Sequence, residues 1–361
     1  MHSAIFILLV ILGSCLIYII ELGYFWVFFR ILEIPKTKKI FISPAILVGS
    51  IVLLMIIGHF IHDVFFQIFY DIGTGILAVE INMILFIIIY LIVNKCKKLN
   101  KWISLSIILV PSIALSIYGF ICPHIIHVDR KTLYFHNFNN TVTIAHLSDV
   151  HLGPQLATKF SKKIVNKLKE LNPDIVVITG DFADGTIKFK SEWIEPFNEL
   201  NMSILYVTGN HEKYHSKDEV LEEVFKSNIK YIGNTTYDTN GIRFIGVDYE
   251  YTLDERLDEL YENGLLEYST TVPNVLLAHI PSIKPYKLKR WNIFLFLCGH
   301  THFGQMFPGH IFGALMYPLF NGLYSNDDNH VYVSQGVGFT TFPMRTFTKS
   351  VIAMITIKGK Y

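Results

Sequence analysis

Residues 141–151 read TVTIAHLSDVH, an apolar, β-branched run that stops abruptly on a polar tip holding Asp149 and His151. That texture predicts a buried strand feeding a loop. It recurs four times downstream. Residues 173–181, PDIVVITGD, end on Gly180 and Asp181, and residues 202–212, MSILYVTGNHE, end on Gly209, Asn210, His211 and Glu212. Residues 274–281, NVLLAHIP, carry His279, and residues 293–302, IFLFLCGHTH, end on His300 and His302. Between some of these runs, apolar residues fall at helical spacing, as in Thr158–Leu171 and Lys217–Ser227.

The shared position of the polar residues carries the reading. Ligands of α/β sheets bind beyond the carboxyl ends of the strands. Five apolar runs that each end in Asp, Asn or His can bring their tips to one edge of a layered core. Carboxylate and amide oxygens mixed with imidazoles suit Mn, Fe, Zn or Co and make a poor cage for Ca or Mg alone. Glycines 180, 209 and 299 let the backbone turn sharply beside such a site. Taken singly, a D-x-H, a GNH turn or a lone His279 is weak, because each arises by chance. Their joint order at strand ends is the signal. His146 reads first as a core histidine of its strand and second as a support for the site.

Working outward, the chain before residue 123 has a different character. The protein has 361 residues, 51% of them hydrophobic and only 17% charged, where about a quarter is usual. The apolar excess lies in four stretches, Ala4–Phe29, Phe41–Ile61, Gly75–Val93 and Trp102–Ile121. Each approaches the ~20 residues that cross a bilayer as a helix. The first is too long for a signal peptide core, lacks a small-x-small cleavage site, and is followed by three similar runs. The expected organisation is therefore a transmembrane helical region over 1–122, a linker and domain edge over 123–140, and a catalytic domain over 141–361. Arg30, Lys36, Lys38 and Lys39 mark one connection, and Lys95, Lys97, Lys98 and Lys101 another, whereas Asp71–Thr74 has no basic residue. The positive-inside rule then predicts a multi-pass integral membrane protein whose catalytic domain is extracytoplasmic. Glu21, His59, His62, Asp63 and Glu80 sit in or beside the apolar runs. They read either as a polar portal for a lipid head group or as interfacial residues with interhelical hydrogen bonds.

The remaining totals exclude more than they assign. A net charge of +1 gives no field for nucleic acid. The four cysteines, Cys15, Cys96, Cys122 and Cys298, show no CxxC and no disulfide framework. There is no repeat of 20–50 residues and no low-complexity tract.

Taken together, DVH, GD, GNHE, a lone His and GHTH in this order resemble the calcineurin-type metallophosphoesterases over Ile144–Ile357. GHTHFGQ at 299–305 and VYVSQGVGFTTFPMR at 331–345 are similar to a membrane-associated branch of multi-spanning proteins with a metallophosphoesterase domain. The resemblance implies an αββα four-layer sandwich behind about four transmembrane helices, and two divalent metal ions. It implies that Asp149, His151 and His302 hold the first metal, that Asp181 bridges both, and that Asn210, His279 and His300 complete the second. His211 would stabilise the transition state or protonate the leaving oxygen. Two departures stand out: Phe303 occupies a position often small in this branch, and Thr346–Val351 lacks the Pro-Glu step of soluble relatives.

The activity so implied is hydrolysis of a phosphodiester, phosphomonoester or pyrophosphate, with a lipid-linked substrate as one option. A catalytically silent metal-binding scaffold is the alternative, and a transporter with a regulatory soluble half is a poorer one. Aromatics after the last ligands (Phe303, Phe307, Phe312, Tyr317, Phe320 and Tyr324) read equally as an apolar lip for acyl chains or as packing against the membrane region.

Overall fold

A computed structural model describes residues 2–34, 42, 44–46, 48–49, 64–136, 138–214, 216–249, 253–326 and 328–360. The chain divides into two compact units, Met1–Tyr118 and Gly119–Tyr361.

The first unit holds long apolar helices, His2–Ile31 and Val64–Cys96, and most of Lys101–Ile121, which contains Pro111. Among the described residues, two helices are long and apolar enough to cross a bilayer, Ile72–Cys96 and Lys101–His124. The first expected span is helical. Most of the second, with His59, His62 and Asp63, lies outside the described residues. A small core of Tyr24, Val27, Ile31, Ile87, Tyr90 and Ile108 joins the helices. Ile92, Val110, Ile113 and Ile117 point outward and are exposed. Glu80 makes interhelical contacts: its backbone carbonyl accepts the Tyr24 hydroxyl, and its carboxyl group bonds Glu21.

The second unit is an α/β sandwich of two mixed six-stranded sheets. Its strands are β1 (Ile126–His136), β2 (Thr141–Leu147), β3 (Ile175–Thr179), β4 (Ser203–Val207), β5 (Ile229–Tyr231) and β6 (Thr235–Thr239). They continue as β7 (Ile242–Gly246), β8 (Asn274–Leu277), β9 (Ile293–Cys298), β10 (Gly322–Asn326), β11 (Asn329–Val333) and β12 (Ser350–Lys360). One sheet runs β1-β12-β2-β3-β4-β5 and the other β10-β11-β9-β8-β7-β6. The strands β2 to β5 are mutually parallel, as are β7, β8, β9 and β11. The carboxyl ends within each set therefore point one way.

The alternation in the central strands explains the layers. In β2, β3 and β4, Val142, Ile144, Ile175, Val177 and Leu205 face the other sheet, where they meet Val275, Leu277, Leu295 and Leu297. The residues between them, Ala145, Leu147, Val176 and Ile178, face outward onto Phe160, Ile164 and Leu168 of the helix Thr158–Leu171. Strands covered on both faces read as continuous apolar runs, as these do. On the far side of the second sheet, Leu253, Leu257 and Leu260 of the helix Leu253–Glu262 close the fourth layer.

Two features differ from the sequence reading. The stretch read as linker and domain edge forms β1, eleven residues long, paired in parallel with β12 from Ile126↔Ser350 to His136↔Lys360. Its polar alternation, IHVDRKTLYFH, hides it from an apolar-run criterion because it is an edge strand with one covered face. The helix read as Lys217–Ser227 ends at Phe225, and Ser216 caps its start by accepting the Glu219 N–H.

Ile355 on β12 is fully buried between the sheets. Ile355→Ala is expected to lower stability by ~2–5 kcal/mol, the usual cost of a core cavity. A change below ~1 kcal/mol in denaturant unfolding of the solubilised chain would show that this strand does not brace the sandwich.

Candidate metal centre

The strand tips converge. Asp149 and His151 follow β2, Asp181 follows β3, Asn210 and His211 follow β4, His279 follows β8, and His300 and His302 follow β9. Backbone hydrogen bonds join the tips directly: Asp149 N–H donates to Gly180 O, His151 N–H to Asp181 O, and Gly299 N–H to His279 O. Five of the expected ligands, Asp149, His151, Asp181, His300 and His302, have positive φ, between 48° and 69°. For non-glycine residues this is a sparsely populated, strained region that clusters at functional sites. Two glycines make the crowding possible. A β-carbon on Gly209 would overlap Asp181 Oδ1, and one on Gly299 would overlap Ser148 Oγ and Asp149 Oδ2.

Side chains collect into two main groups of potential ligands. Asp149, His151 and His302 form one, and Asp181, His279 and His300 the other. In the first, His151 Nε2 lies 3.0 Å from His302 Nε2, which is 3.3 Å from Asp149 Oδ1. In the second, His279 Nε2 is 3.1 Å from Asp181 Oδ2 and 3.2 Å from His300 Nδ1. Ligands held ~2.0–2.2 Å from one cation stand about 3 Å from each other, so both spacings fit. Asp181 Oδ2 also lies 3.8 Å from His151 Nε2, so one carboxylate faces both groups.

One orphaned atom tests the fit further. Asn210 Oδ1 is buried without a hydrogen-bond partner. Asn210 Nδ2 donates to the Tyr214 hydroxyl at 2.8 Å, which leaves its oxygen as the uncommitted acceptor. Buried polar atoms are rarely left unpaired unless an ion or water takes them. The donor set of carboxylates, imidazoles and one amide oxygen suits a pair of divalent transition metals.

The electrostatics point the same way. Burial drives the His151 and His302 imidazoles well below their usual range, and burial with the neighbouring His279 charge takes His300 down to about 3. All three are thus neutral bases ready to ligate. Burial also disfavours charge on His279, but Asp181 and then Asp149 outweigh it and raise His279 to about 10. Asp181, in spite of burial, is held well below the carboxylate range by the His279 and His211 charges. Burial pushes Asp149 up to about 6 against the pull of His279. The proton shared across His279 and Asp181 is the one an arriving cation would displace.

His211 stands apart from both main groups. Its Nδ1–H donates to the Asp184 carbonyl at 2.6 Å, and its Nε2 faces Asp181 Oδ2 at 3.9 Å. Its backbone N–H donates to Asp181 Oδ1 at 2.9 Å. His146 is a buried strand histidine, 2.7 Å from Thr179 Oγ1 and lowered to about 3 by burial. Phe303 packs edge-on against His310 and beside Phe320.

Four residues were given no role at the metal site by the sequence reading. Glu212 is fully buried, and its carboxylate accepts N–H bonds from Asp181, Phe182, Ala183 and Gly209 at 2.6–3.1 Å. Arg345, also fully buried, donates to the carbonyls of Gly338 and Gln335 and lies 3.1 Å from His302 Nδ1. The Tyr317 hydroxyl is 3.0 Å from His300 Nε2. Asp184 Oδ1 approaches His151 Nδ1 at 3.8 Å and groups with His151 and His211. Glu212 and Arg345 had a signal in GNHE and FPMR; Tyr317 was noted only among the aromatics that follow the last ligands, and nothing in the sequence marked Asp184.

The two-sheet sandwich thus gathers two groups of potential metal-ligand side chains at its strand tips, with Asp181 facing both. Residues 142–304 match the family described as calcineurin-like phosphoesterase. An uncharacterised metallophosphoesterase of Helicobacter pylori is 31% identical over 238 residues, covering 64% of each chain. A metallophosphoesterase of Campylobacter jejuni is 34% identical over 233 residues, covering 62% of this chain and 61% of that protein. A transmembrane protein with metallophosphoesterase domain from Danio rerio is 32% identical over 272 residues, covering 69% and 62%. The match thus spans less than two thirds of the length of each of these relatives.

Glu212→Gln replaces an acceptor oxygen by an amide NH2 donor that faces backbone N–H donors. It is expected to destabilise the domain by ~2–3 kcal/mol and to weaken metal uptake by ~10–100-fold. Unchanged metal stoichiometry and unchanged unfolding midpoint would show that Glu212 does not hold the two tips together.

Proposed function

We propose that the chain is a membrane-anchored phosphoesterase that hydrolyses a phosphate ester or anhydride at a pair of divalent metals. The observation that carries this reading is the placement of Asp181 between the two ligand groups. Asp149, His151 and His302 would hold one cation and Asn210, His279 and His300 the other, with Asp181 common to both. When bound, such a pair supplies a nucleophile at neutral pH and a positive clamp on the phosphoryl oxygens.

The chain's own residues do the rest. Asp181 keeps both sites at one spacing because its Oδ1 is tied to His211 N–H, leaving Oδ2 for the ligand groups. The Asp184 carbonyl fixes the His211 ring through Nδ1, so Nε2 is the atom that meets substrate. When protonated, His211 Nε2 can donate to the leaving oxygen, a role worth ~10²–10⁴-fold. Arg345 and Tyr317 orient His302 and His300 from outside the ligand set.

Membrane association is supported by Ile72–Cys96 and Lys101–His124, whose outward apolar side chains require a nonpolar solvent, and by the transmembrane relative. The basic connections at 30–39 and 95–101 favour a multi-pass topology with an extracytoplasmic catalytic domain. A lipid-linked phosphodiester or pyrophosphate is the substrate class that such an anchor serves.

Turnover of bis(p-nitrophenyl) phosphate by the purified, metal-supplied chain tests the chemistry. Asp181→Asn is expected to lower kcat/KM by ~10²-fold or more while leaving the unfolding transition in place. Normal turnover in that variant contradicts the bridging role. His211→Ala is expected to lower kcat by ~10²–10⁴-fold with metal content unchanged; loss of both metals would refute the separation of acid from ligands.

A further inference from the structure

The helix Gly309–Met316, GHIFGALM, buries none of its residues. Ile311, Phe312, Leu315 and Met316 are 54–80% exposed. From Trp291 to Asn326 the sequence contains no Asp, Glu, Lys or Arg. A helix on a water-facing surface normally carries a polar face. The helix Thr158–Leu171 of the same unit does so, burying Phe160, Ile164 and Leu168 while Lys159, Lys162 and Lys167 lie on other faces. Gly309–Met316 has no such face, and an apolar surface of this kind marks an interaction site. At ~1.5 Å per residue it is about 12 Å long, far short of a span, and it suits a segment lying in the plane of a bilayer interface.

Its place in the unit selects the partner. Gly119, in the last turns of the bilayer-length helix Lys101–His124, accepts the Arg345 N–H at 2.9 Å and sits against Met344 and Thr346. Thr346 N–H donates to Gln305 O, and Phe307 N–H donates to Thr346 Oγ1. The exposed Phe347 ring lies 6.1 Å from His310 at the start of the apolar helix. One short segment therefore links the chain's point of entry from the spanning helix to Gly309–Met316. At the other end of that helix, Tyr317 reaches His300.

We propose that Gly309–Met316, with Phe347, seats in the interfacial layer of a lipid bilayer and presents the mouth of the metal centre to the head groups. The substrate is then a phosphate ester carried on an amphiphile. This rests on the membrane phosphoesterase reading above.

The test uses the full chain in phosphatidylcholine–phosphatidylglycerol vesicles, with and without bromine on the acyl chains. Emission added by Leu315→Trp over the parent chain is expected to be quenched about twofold or more by brominated lipid, as for a side chain ~5–10 Å below the head groups. Phe225→Trp, at an equally exposed ring on a helix with charged neighbours, is the reference and is expected to be unaffected. Quenching at position 315 no greater than at 225 overturns the proposal. So does concentration-dependent dimerisation in detergent that shields position 315, because a second copy then covers the helix. In the pair Ile311→Asp/Leu315→Asp, the ratio of vesicle-borne to soluble diester turnover is expected to fall about tenfold; an unchanged ratio overturns the substrate class. Failure of the parent chain to hydrolyse the soluble diester sinks the phosphoesterase reading instead and leaves the quenching result intact.

Discussion

The buried carboxylate of Glu212 is the constraint on which the site depends. Moving a carboxylate out of water costs several kcal/mol, and that cost is offset only when its oxygens are filled by donors. Here four backbone N–H groups fill them, three from the tip after β3 and one from Gly209 after β4. The clamp fixes the two tips relative to each other before any cation is present. Asp181 lies inside the clamped loop, and its Oδ1 is held by the next N–H along, that of His211. Its remaining oxygen has a single direction, toward the imidazoles of both groups. A residue with no assigned chemistry thus sets the geometry of the one that joins the two halves of the centre.

The charge distribution follows from the same packing. Desolvation acts on every titratable group at the tips, yet its outcome differs by neighbour. His151, His300 and His302 have no sufficient anion beside them and stay neutral. His279 touches Asp181 and keeps a proton that burial alone would remove. That charge compensates the buried Asp181 carboxylate, and a cation held by the same residues would compensate it in turn. Arg345 supplies a second fixed charge nearby, and its donors satisfy the carbonyls of Gly338 and Gln335.

The apolar runs of the central strands were legible because burial on both faces leaves an unbroken β-branched signature. The candidate ligand side chains were legible because each stands where such a run stops. The edge strand β1 was not, since one exposed face gives IHVDRKTLYFH a mixed texture and its partner β12 lies more than two hundred residues away. The places of Tyr317 and Asp184 at the site were not legible for a related reason: each reaches it from a loop, with no periodicity to mark it. Glu212 could be read in GNHE, but its role depends on donors from a different strand end, which no local pattern reveals. The grouping of ligands came from resemblance and not from spacing, because chain order says nothing about which tips are adjacent in a sandwich.

Backbone strain gives the last link between fold and chemistry. Five of the residues that face the centre hold left-handed conformations, each costing on the order of 1–3 kcal/mol. No local interaction would keep an isolated peptide in that shape. The cost is tolerated because the strands feeding these tips are locked by two apolar layers, and because backbone hydrogen bonds such as His151 N–H to Asp181 O run between tips and not within them. A tip that relaxed to an ordinary turn would swing its carboxylate or imidazole out of range of a shared cation. The sandwich therefore does more than carry the candidate ligands: its rigidity is what holds two closely spaced groups of carboxylate and imidazole side chains, with like charges among them, in a geometry that the chain can sustain.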